Sequence, residues 1–584
     1  MLDWPRSPFL NVLKDRINLE QIPFSDRSSR LLVFKRGSEI YIRLSERWFK
    51  QEQKVGHYRR RAPLISEWRF TDGVGNPLEF KLTSYPHQLC FDTERGPFEM
   101  AFLDAEALYL SLPPTEVGFS FKVYAERGWA DRRGGVFKGP RNIAYSTNAR
   151  IISNEVIDLG DGYFRVKLVV RGRPEVGLVL NITPRLGFNR ALPAPEEVFA
   201  AAARRWHEWF ELAPPVKECY RPQYYYAWWI MRSGLISTRF YTTREAMTPS
   251  KIHYVGVWQW DAYFHALAYR HIDPKLAKDQ LRIVLDHQRE DGMIPDAVHD
   301  EGIVTHLITP VDADVTKPPL LGWTALKLYQ ISPDLDFLNE IYEPLVRWNR
   351  WWFENNDDDG DGIVQYNHPF SSGLDDSPLW DEGMPVESPD LNTYLCVQMD
   401  SLSEIARLIG EEDEAVMWRK QADELSRKIV AHFYDPRAGL FWAMKDHQPV
   451  KVLTPFNLYP LWTGRLKPEI TERLIAHLMN PAEFWTPYPI PTVARNDSKY
   501  DPNQMWRGPI WANINYIFIE ALLRNGHPEL ARKLRDRTLK LIMGQNDIYE
   551  YYNPETGEPP LKAASIFGWS SAVFIDLAIQ ASRD

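Results

Sequence analysis

The sequence predicts two successive architectures, an N-terminal antiparallel β-sandwich followed by an (α/α)6 toroid. With 584 residues, the chain is too long for a single hydrophobic core. From about residue 29 to 185, apolar and polar residues alternate in short runs, whereas from about residue 220 onward apolar residues recur at helical spacing. We therefore expect a sandwich domain over 1–190, a helical linker over 191–219 and a helical domain over 220–584.

The strands are predicted by alternation between turn residues. "RLLVFKRGSEIYIRLSERW" alternates in two runs around "RGSE", which is typical of a β-hairpin. "GFSFKVYAE" and "YFRVKLVVRGRPEVGLVLNIT" repeat the pattern without a helical stretch between them. Many short strands in succession favour an antiparallel sandwich.

The helices begin where this period changes. Residues 195–212, "PEEVFAAAARRWHEWFEL", have helical spacing and predict a connecting helix. Beyond residue 220 the pattern predicts about eleven or twelve helices, often paired across a short turn, as in "SLSEIARLIGEEDEAVMWRKQADELSRKIV". The pairs share no fixed period, which argues against tandem repeats. Such pairs can close into an (α/α)6 toroid with a pocket among the loops at one end.

Composition excludes several classes of partner. The net charge of −9 and the isoelectric point near 5.9 offer no general attraction for nucleic acid or an anionic membrane. Cys90, Cys219 and Cys396 have neither metal nor disulfide spacing, which suggests a reducing compartment. We find no apolar run of membrane-spanning length and no signal peptide, so we predict a cytoplasmic protein.

The loops of the helical half combine acids with tryptophan. Aromatic residues make up 13% of the chain, and their faces pack against the C–H face of sugars. The stretches in question are "GVWQWDAYFHAL" (256–267), "HQREDGMIPDAV" (287–298), "SSGLDDSPLWDEG" (371–383), "MWRGPIWANINY" (505–516) and "IYEYYNPETGEP" (548–559). Each acid alone has a structural explanation, as a helix-terminal carboxylate or a turn residue. Their recurrence favours a carbohydrate substrate.

Four of these motifs resemble glycoside hydrolase family 63. They are "GVWQWDAYFHA", "SGLDDSPLW", "WRGPIW" and "YEYYNPETGEP" followed by "FGWSS", and the resemblance covers roughly residues 220–580. Relatives of this family include the family 37 trehalases and the mannosylglycerate and glucosylglycerate hydrolases. The resemblance implies an inverting, exo-acting α-glycosidase with an (α/α)6 barrel, often preceded by a β-sandwich, that needs no cofactor for its chemistry.

The same resemblance assigns the catalytic pair. It implies that Asp375 is the general acid and Glu550 the general base, with Asp376 a neighbour. Inverting hydrolysis needs the two carboxyl groups about 6.5–9.5 Å apart, with water between the base and the sugar. The acid must be protonated, so we expect a raised pKa for Asp375, and neither loop carries Lys or Arg beside its proposed catalytic acid.

Further contacts follow from the resemblance. It implies that Asp261 binds ring hydroxyls, and that Gln288 and Arg507 contact hydroxyls or the aglycone. The candidate sugar-stacking residues are Trp258, Trp260, Trp380 and Trp569. In "TKPPLL", Lys317 stands where the family tends to have glutamine, so any substrate contact by that glutamine is not carried over.

A second motif predicts a cation site. In "NNDDDGDGIVQY" (355–366), Asp357, Asp359 and Asp361 match the spacing of a calcium loop, with the Ile363 carbonyl as the next oxygen. Position twelve is His368 rather than Glu, so the EF-hand pattern is incomplete. The alternatives are a solvated acidic turn and a structural Ca²⁺ that fixes the acid loop, as in some members of the family.

Two other functions are compatible with the sequence. A glycoside phosphorylase shares the layout but uses phosphate in place of water, and a non-catalytic sugar-binding or scaffold protein would keep the tryptophans. The sequence does not indicate whether the sugar is glucose or mannose, and it leaves the linkage, the aglycone and the oligomeric state open.

Overall fold

The computed structural model describes residues 7–46 and 62–584 as two compact units. The first comprises the described residues up to Ala213, with Trp228–Ser237 and Lys251–Val255. The second comprises Pro214–Ala227, Thr238–Ser250 and Gly256–Asp584.

The first unit contains two antiparallel sheets. Its strands are β1 (Leu31–Arg36), β2 (Glu39–Leu44), β3 (Ile65–Asp72), β4 (Lys81–Ser84), β5 (Leu89–Thr93), β6 (Gly96–Asp104), β7 (Ala107–Ser111), β8 (Glu116–Tyr124), β9 (Arg127–Asp131), β10 (Gly134–Lys138), β11 (Asn142–Thr147), β12 (Arg150–Gly160), β13 (Tyr163–Arg171) and β14 (Gly177–Thr183). One sheet has the order β1-β2-β3-β8-β13-β12, and the other β4-β5-β6-β7-β14-β11-β10-β9. The predicted antiparallel N-terminal domain is thus confirmed.

Aromatic rings join the two sheets. Phe70 of β3 stacks on Phe98 of β6 with ring centroids 4.2 Å apart, and Phe121 of β8 meets Tyr145 of β11 edge-on at 5.6 Å. The hairpin predicted around "RGSE" is also confirmed, since Arg36 pairs with Glu39 across the turn. Alternation therefore predicted which residues face the core, because successive strand side chains point to opposite faces.

The connecting helix predicted over 195–212 is present as α2. It packs on β6 and β7, where Val198 and Ala202 join a buried cluster with Ala101 and Tyr109. Its first residue, Pro195, has a backbone conformation suited to the first helical turn. This helix accordingly belongs to the core of the first unit.

The described chain from residue 221 onward is dominated by eleven α-helices, which confirms the helical C-terminal region. The helices of the chain are α1 (Pro8–Val12), α2 (Pro195–Glu211), α3 (Arg221–Ser233), α4 (Gln259–Tyr269), α5 (Pro274–Leu285), α6 (Leu321–Ile331), α7 (Leu335–Asn355), α8 (Pro389–Ile409), α9 (Glu412–Phe433), α10 (Pro468–Leu478), α11 (Ala512–Arg524), α12 (Pro528–Met543) and α13 (Gly568–Arg583). The paired helices predicted around Gly410 are α8 and α9, and that glycine ends α8 with φ +91°.

Short strands and long loops separate these helices. The strands are β15 (Leu235–Ile236), β16 (Ala246–Met247), β17 (Val257–Trp258), β18 (Ala297–His299), β19 (Gly302–Val304), β20 (His306–Leu307), β21 (Ala313–Asp314), β22 (Gln365–Tyr366), β23 (Val386–Glu387), β24 (Tyr434–Asp435), β25 (Leu440–Phe441), β26 (Met444–Lys445) and β27 (Gln448–Pro449). The loops after α5, α7 and α12 carry most of the residues considered below. Within the described ranges, no helix has the length and apolar character needed to cross a bilayer.

Candidate active site

Residues 369–381, here called the acid segment, carry two adjacent aspartates between two short 3₁₀ helices. The helices are Pro369–Ser372 and Pro378–Trp380. Gly373 ends the first helix at φ +74°, a conformation that glycine adopts without steric cost. The indole N–H of Trp380 then donates to the Leu374 carbonyl over 2.8 Å. These contacts close the turn and present Asp375 and Asp376 next to each other.

The two aspartates have different surroundings. The carboxylate of Asp376 accepts hydrogen bonds from the Trp506 backbone N–H at 2.8 Å and from the Gln504 amide at 2.7 Å. The Arg507 guanidinium donates to the Asp376 carbonyl at 3.0 Å. Asp376 thus ties the acid segment to the 504–507 loop.

Asp375 has the proton affinity that a general acid needs. Burial raises the pKa of Asp375 to about 7, the Lys317 ammonium opposes this rise, and the charges of Asp296 and Asp376 add to it. A carboxyl group with this pKa is substantially protonated near neutral pH. It can therefore donate a proton there.

A buried ion pair contacts the acid segment. The Lys317 ammonium is 2.6 Å from an Asp296 carboxylate oxygen, and the exposed fractions of the two residues are 6% and 5%. The ammonium also donates to the Phe370 carbonyl of the acid segment. Sequence reasoning missed Asp296, although it lies in the quoted stretch "HQREDGMIPDAV". Asp296 is recognised as part of the site only because it pairs with Lys317, the lysine that replaces the glutamine usual in the family.

The pKa of Asp261 is affected by the charges of both this pair and Glu550. It lies in the first turn of α4, and burial raises the pKa of Asp261 well above its ordinary value. The charge of Glu550 raises that pKa further, and Lys317 lowers it. Among the described residues, Oδ1 of Asp261 is buried without a hydrogen-bond partner, so it is available to a ligand hydroxyl. The charge of Lys317 acts on both Asp261 and Asp375.

Residues 547–567, here called the base segment, hold Glu550 through the backbone. The Glu550 N–H donates to the Ala564 carbonyl at 2.9 Å, and the Ala564 N–H donates back to the Glu550 carboxylate at 3.2 Å. Ile566 has φ +46°, unusual for a β-branched residue, and its N–H donates to the Asp547 carboxylate at 3.3 Å. Strained backbone of this kind clusters at functional sites.

The predicted stacking tryptophans differ in accessibility. Trp260 and Trp569 have exposed fractions of only 1% and 4%, and their rings meet edge-on at 6.5 Å. Trp380 is also buried, next to Tyr366. Trp258 is half-buried and packs edge-on against His299. A sugar needs an open ring face, so of the four Trp258 is best suited to stacking, and the other three pack within the protein.

The side chains of Gln288 and Arg507 bind groups of the protein. The Gln288 amide donates to the carbonyls of Gly292 and Pro344 at 2.7 and 2.8 Å. Arg507 forms a two-pronged ion pair with Asp381, with N–O distances of 2.9 and 2.7 Å. These contacts hold loops together, and the expected roles of both residues in substrate binding stay predictions.

The acidic cluster predicted before the acid segment also forms. Asp357, Asp359 and Asp361 each place a carboxylate oxygen within 4.8 Å of the others. Burial and the charges of Asp361 and Asp359 raise the pKa of Asp357. In the described part of the chain, Asp357 Oδ1 is buried without a hydrogen-bond partner. The Ile363 N–H donates to Asp361 at 2.7 Å. This all-oxygen donor set fits a hard cation such as Ca²⁺.

Known structures resemble the chain in fold. The crystal structure of the GH63 mannosylglycerate hydrolase from Thermus thermophilus in complex with glucose aligns with a TM-score of 0.53 and 22% identity, covering 61% of this chain and 99% of that one. A bacterial glucoamylase complexed with acarbose aligns with a TM-score of 0.59 and 11% identity, covering 97% and 94%. At these identities the likeness establishes the fold alone.

Sequence comparison identifies the family. A mannosylglycerate hydrolase of Thermus thermophilus is 26% identical over 406 residues, which cover 57% of this chain and 96% of the relative. The family model of the mannosylglycerate hydrolase MGH1-like glycoside hydrolase domain matches residues 254–570, more than half of the 584 residues. The chain therefore belongs to the MGH1-like glycoside hydrolases and is a glycoside hydrolase of family 63.

Proposed function

We propose that this glycoside hydrolase is an inverting, exo-acting α-glycosidase with Asp375 as general acid and Glu550 as general base. The observation that carries the proposal is the charge coupling among loops distant in sequence. Lys317 acts on both Asp375 and Asp261, and Asp261 also responds to Glu550. A site that gathers carboxyl groups in this way suits acid–base hydrolysis.

The proposed reaction uses the two carboxyl groups in opposite protonation states. Protonated Asp375 gives its proton to the glycosidic oxygen as the bond from the anomeric carbon to that oxygen breaks. Ionised Glu550 takes a proton from the water that attacks the anomeric carbon on the opposite face. The products are a sugar of inverted configuration and the free aglycone alcohol. Proton exchange with solvent then restores both groups.

The proposed substrate is a small α-linked glucoside or mannoside. A relative named mannosylglycerate hydrolase supports a sugar joined to a compact aglycone. The buried, unpaired oxygen of Asp261 supports hydrogen bonding to a ring hydroxyl in the proposed pocket. We further propose that the helical pairs of residues 220–584 close into an (α/α)6 toroid, with these loops at one end.

We also propose a structural calcium ion at Asp357, Asp359 and Asp361, with the Ile363 carbonyl as a further ligand. The converging carboxylates and the unpaired oxygen of Asp357 support it. Bound there, the ion would offset carboxylate repulsion. It would also stiffen the stretch that leads into the acid segment, without taking part in the chemistry.

The test uses Asp375→Asn and Glu550→Gln on a panel of α-linked disaccharides and glycosylglycerates. Loss of the acid or the base should lower kcat by about 10²–10⁴-fold, while the sugar still binds. Glu558→Gln, an exposed glutamate of the same motif, is the matched control and should keep full activity. NMR should show β-sugar as the first product. Release of α-sugar, phosphate-dependent turnover or an active Asp375→Asn variant would contradict the proposal.

A further inference from the structure

The Lys317–Asp296 ion pair is buried against the acid segment, which carries the proposed acid. Its two charged groups are 2.6 Å apart, and both residues are almost fully shielded from solvent. Buried ion pairs contribute little net stability, because desolvating two charges offsets most of their attraction. A pair in this position therefore calls for a role other than holding the fold.

The segment that carries Lys317 contacts the acid segment directly. Its ammonium donates to the Phe370 carbonyl, and the neighbouring Thr316 N–H donates to the Ser371 hydroxyl at 3.2 Å. The Thr316 hydroxyl donates in turn to the Ile294 carbonyl at 2.6 Å, two residues before Asp296. The loop containing Asp296 is thereby joined to the start of the acid segment.

We propose that Lys317 and Asp296 are positioning residues that tune Asp375 as a proton donor through two opposed charges. The inference rests on the proposed function, which makes Asp375 the acid. The ammonium favours the ionised form of Asp375, and the Asp296 carboxylate favours the protonated form. Because the effect of Lys317 is larger than that of Asp296, the pair offsets part of the rise that burial causes, and the pKa of Asp375 lies at about 7.

The charges that act on Asp375 are those of Lys317, Asp296 and Asp376. The carboxylate of Asp376 is held in place by hydrogen bonds from Trp506 and Gln504. Lys317 is also subject to the charge of Asp261. Loss of the Lys317 charge should therefore raise the pKa of Asp375, and loss of the Asp296 charge should lower it.

The test is the pH dependence of kcat/KM for Lys317→Gln and Asp296→Asn. Because Asp375 must be protonated and its pKa is about 7, wild-type activity should fall above that pH by about tenfold per pH unit. The midpoint of this fall should move up by about one pH unit in Lys317→Gln and down by about one in Asp296→Asn. The double variant should lie between them. Glutamine removes the charge and retains an N–H donor on a polar side chain that is one bond shorter.

Lys327→Met is the matched control. Lys327 forms an ion pair of 2.6 Å with Glu520 elsewhere in the helical unit, so its loss should leave the midpoint unchanged. Thermal unfolding at pH 6 checks that each variant is folded. Midpoints that stay fixed, or that move in the same direction in both variants, would overturn the inference. If Asp375→Asn is inactive in that case, the inference alone fails; an active Asp375→Asn variant would refute the proposed function itself.

Discussion

The acid segment and the base segment are held in different ways. Side chains from other loops fix the acid segment, through Lys317 on Phe370 and Arg507 on Asp381. Backbone hydrogen bonds within the base segment hold it together, from the Glu550 N–H to the Ala564 carbonyl and from the Phe567 N–H to the Ile548 carbonyl. The first arrangement brings charges close to its aspartate. The arrangement of the base segment instead depends on two stretches of backbone lying close enough to hydrogen-bond.

This difference is consistent with the two chemical tasks proposed for the segments. An acid that works near neutral pH needs burial balanced by nearby charges, which only side chains supply. A base must be correctly aimed, and the Ala564 N–H that donates to the Glu550 carboxylate fixes its orientation. We therefore expect the acid segment to respond most to charged or polar substitutions, and the base segment to added side-chain volume.

The largest expected effect outside the catalytic pair is that of Asp376→Ala. The change removes the acceptor for the Trp506 N–H and the Gln504 amide, so the acid segment should shift and kcat should fall by about 100-fold. Asp376→Asn keeps an acceptor for Trp506 and should retain most of the activity. Steady-state kinetics compares the two. Equal losses would mean that the charge of Asp376, rather than its hydrogen bonds, is what matters.

On the base side, Gly568→Ala should destabilise the protein. A Cβ at Gly568 would lie 2.3 Å from Nε2 of His265, a fully buried ring whose pKa is lowered to about 3 by desolvation. We expect a loss of about 1–3 kcal/mol in the free energy of unfolding, measured by urea denaturation. Gly302→Ala, which meets no atom within 4 Å, is the control and should change stability by less than about 0.5 kcal/mol. Equal midpoints for the two variants would refute the close packing of α13.

The smallest expected effect concerns the acidic cluster before the acid segment. Added Ca²⁺ at about fivefold its dissociation constant should stabilise the protein by about 1 kcal/mol, seen as a rise in Tm that a chelator reverses. Asp359→Asn should abolish this response. Asp358→Asn, in the same loop but outside the cluster, should keep it. A rise that survives in Asp359→Asn would place the ion elsewhere.

Local pattern predicted the secondary structure well. Residue periodicity, together with turn and helix-terminating residues, predicted three features. These are the hairpin at Arg36 and Glu39, the helix starting at Pro195 and the paired helices around Gly410. These features depend on neighbours within a few residues. The sequence contains that information directly.

The site could be predicted only in part. The motifs pointed to Asp375, Glu550 and Asp261, but not to the partners that give each its environment. Asp296 pairs with Lys317 across 21 positions, and Arg507 pairs with Asp381 across 126. Nothing local marks such pairs, because both members are ordinary charged residues in long loops.

The sequence by itself determined the order of strands and helices, the family and the aspartate pair at 375–376. Only the tertiary structure decided how the surroundings of the two aspartates differ, because Trp506 and Gln504 bind the carboxylate of Asp376 while burial raises the pKa of Asp375 to about 7. Periodicity acts over neighbouring residues, whereas desolvation and charge act through space, and that distance exists only after folding.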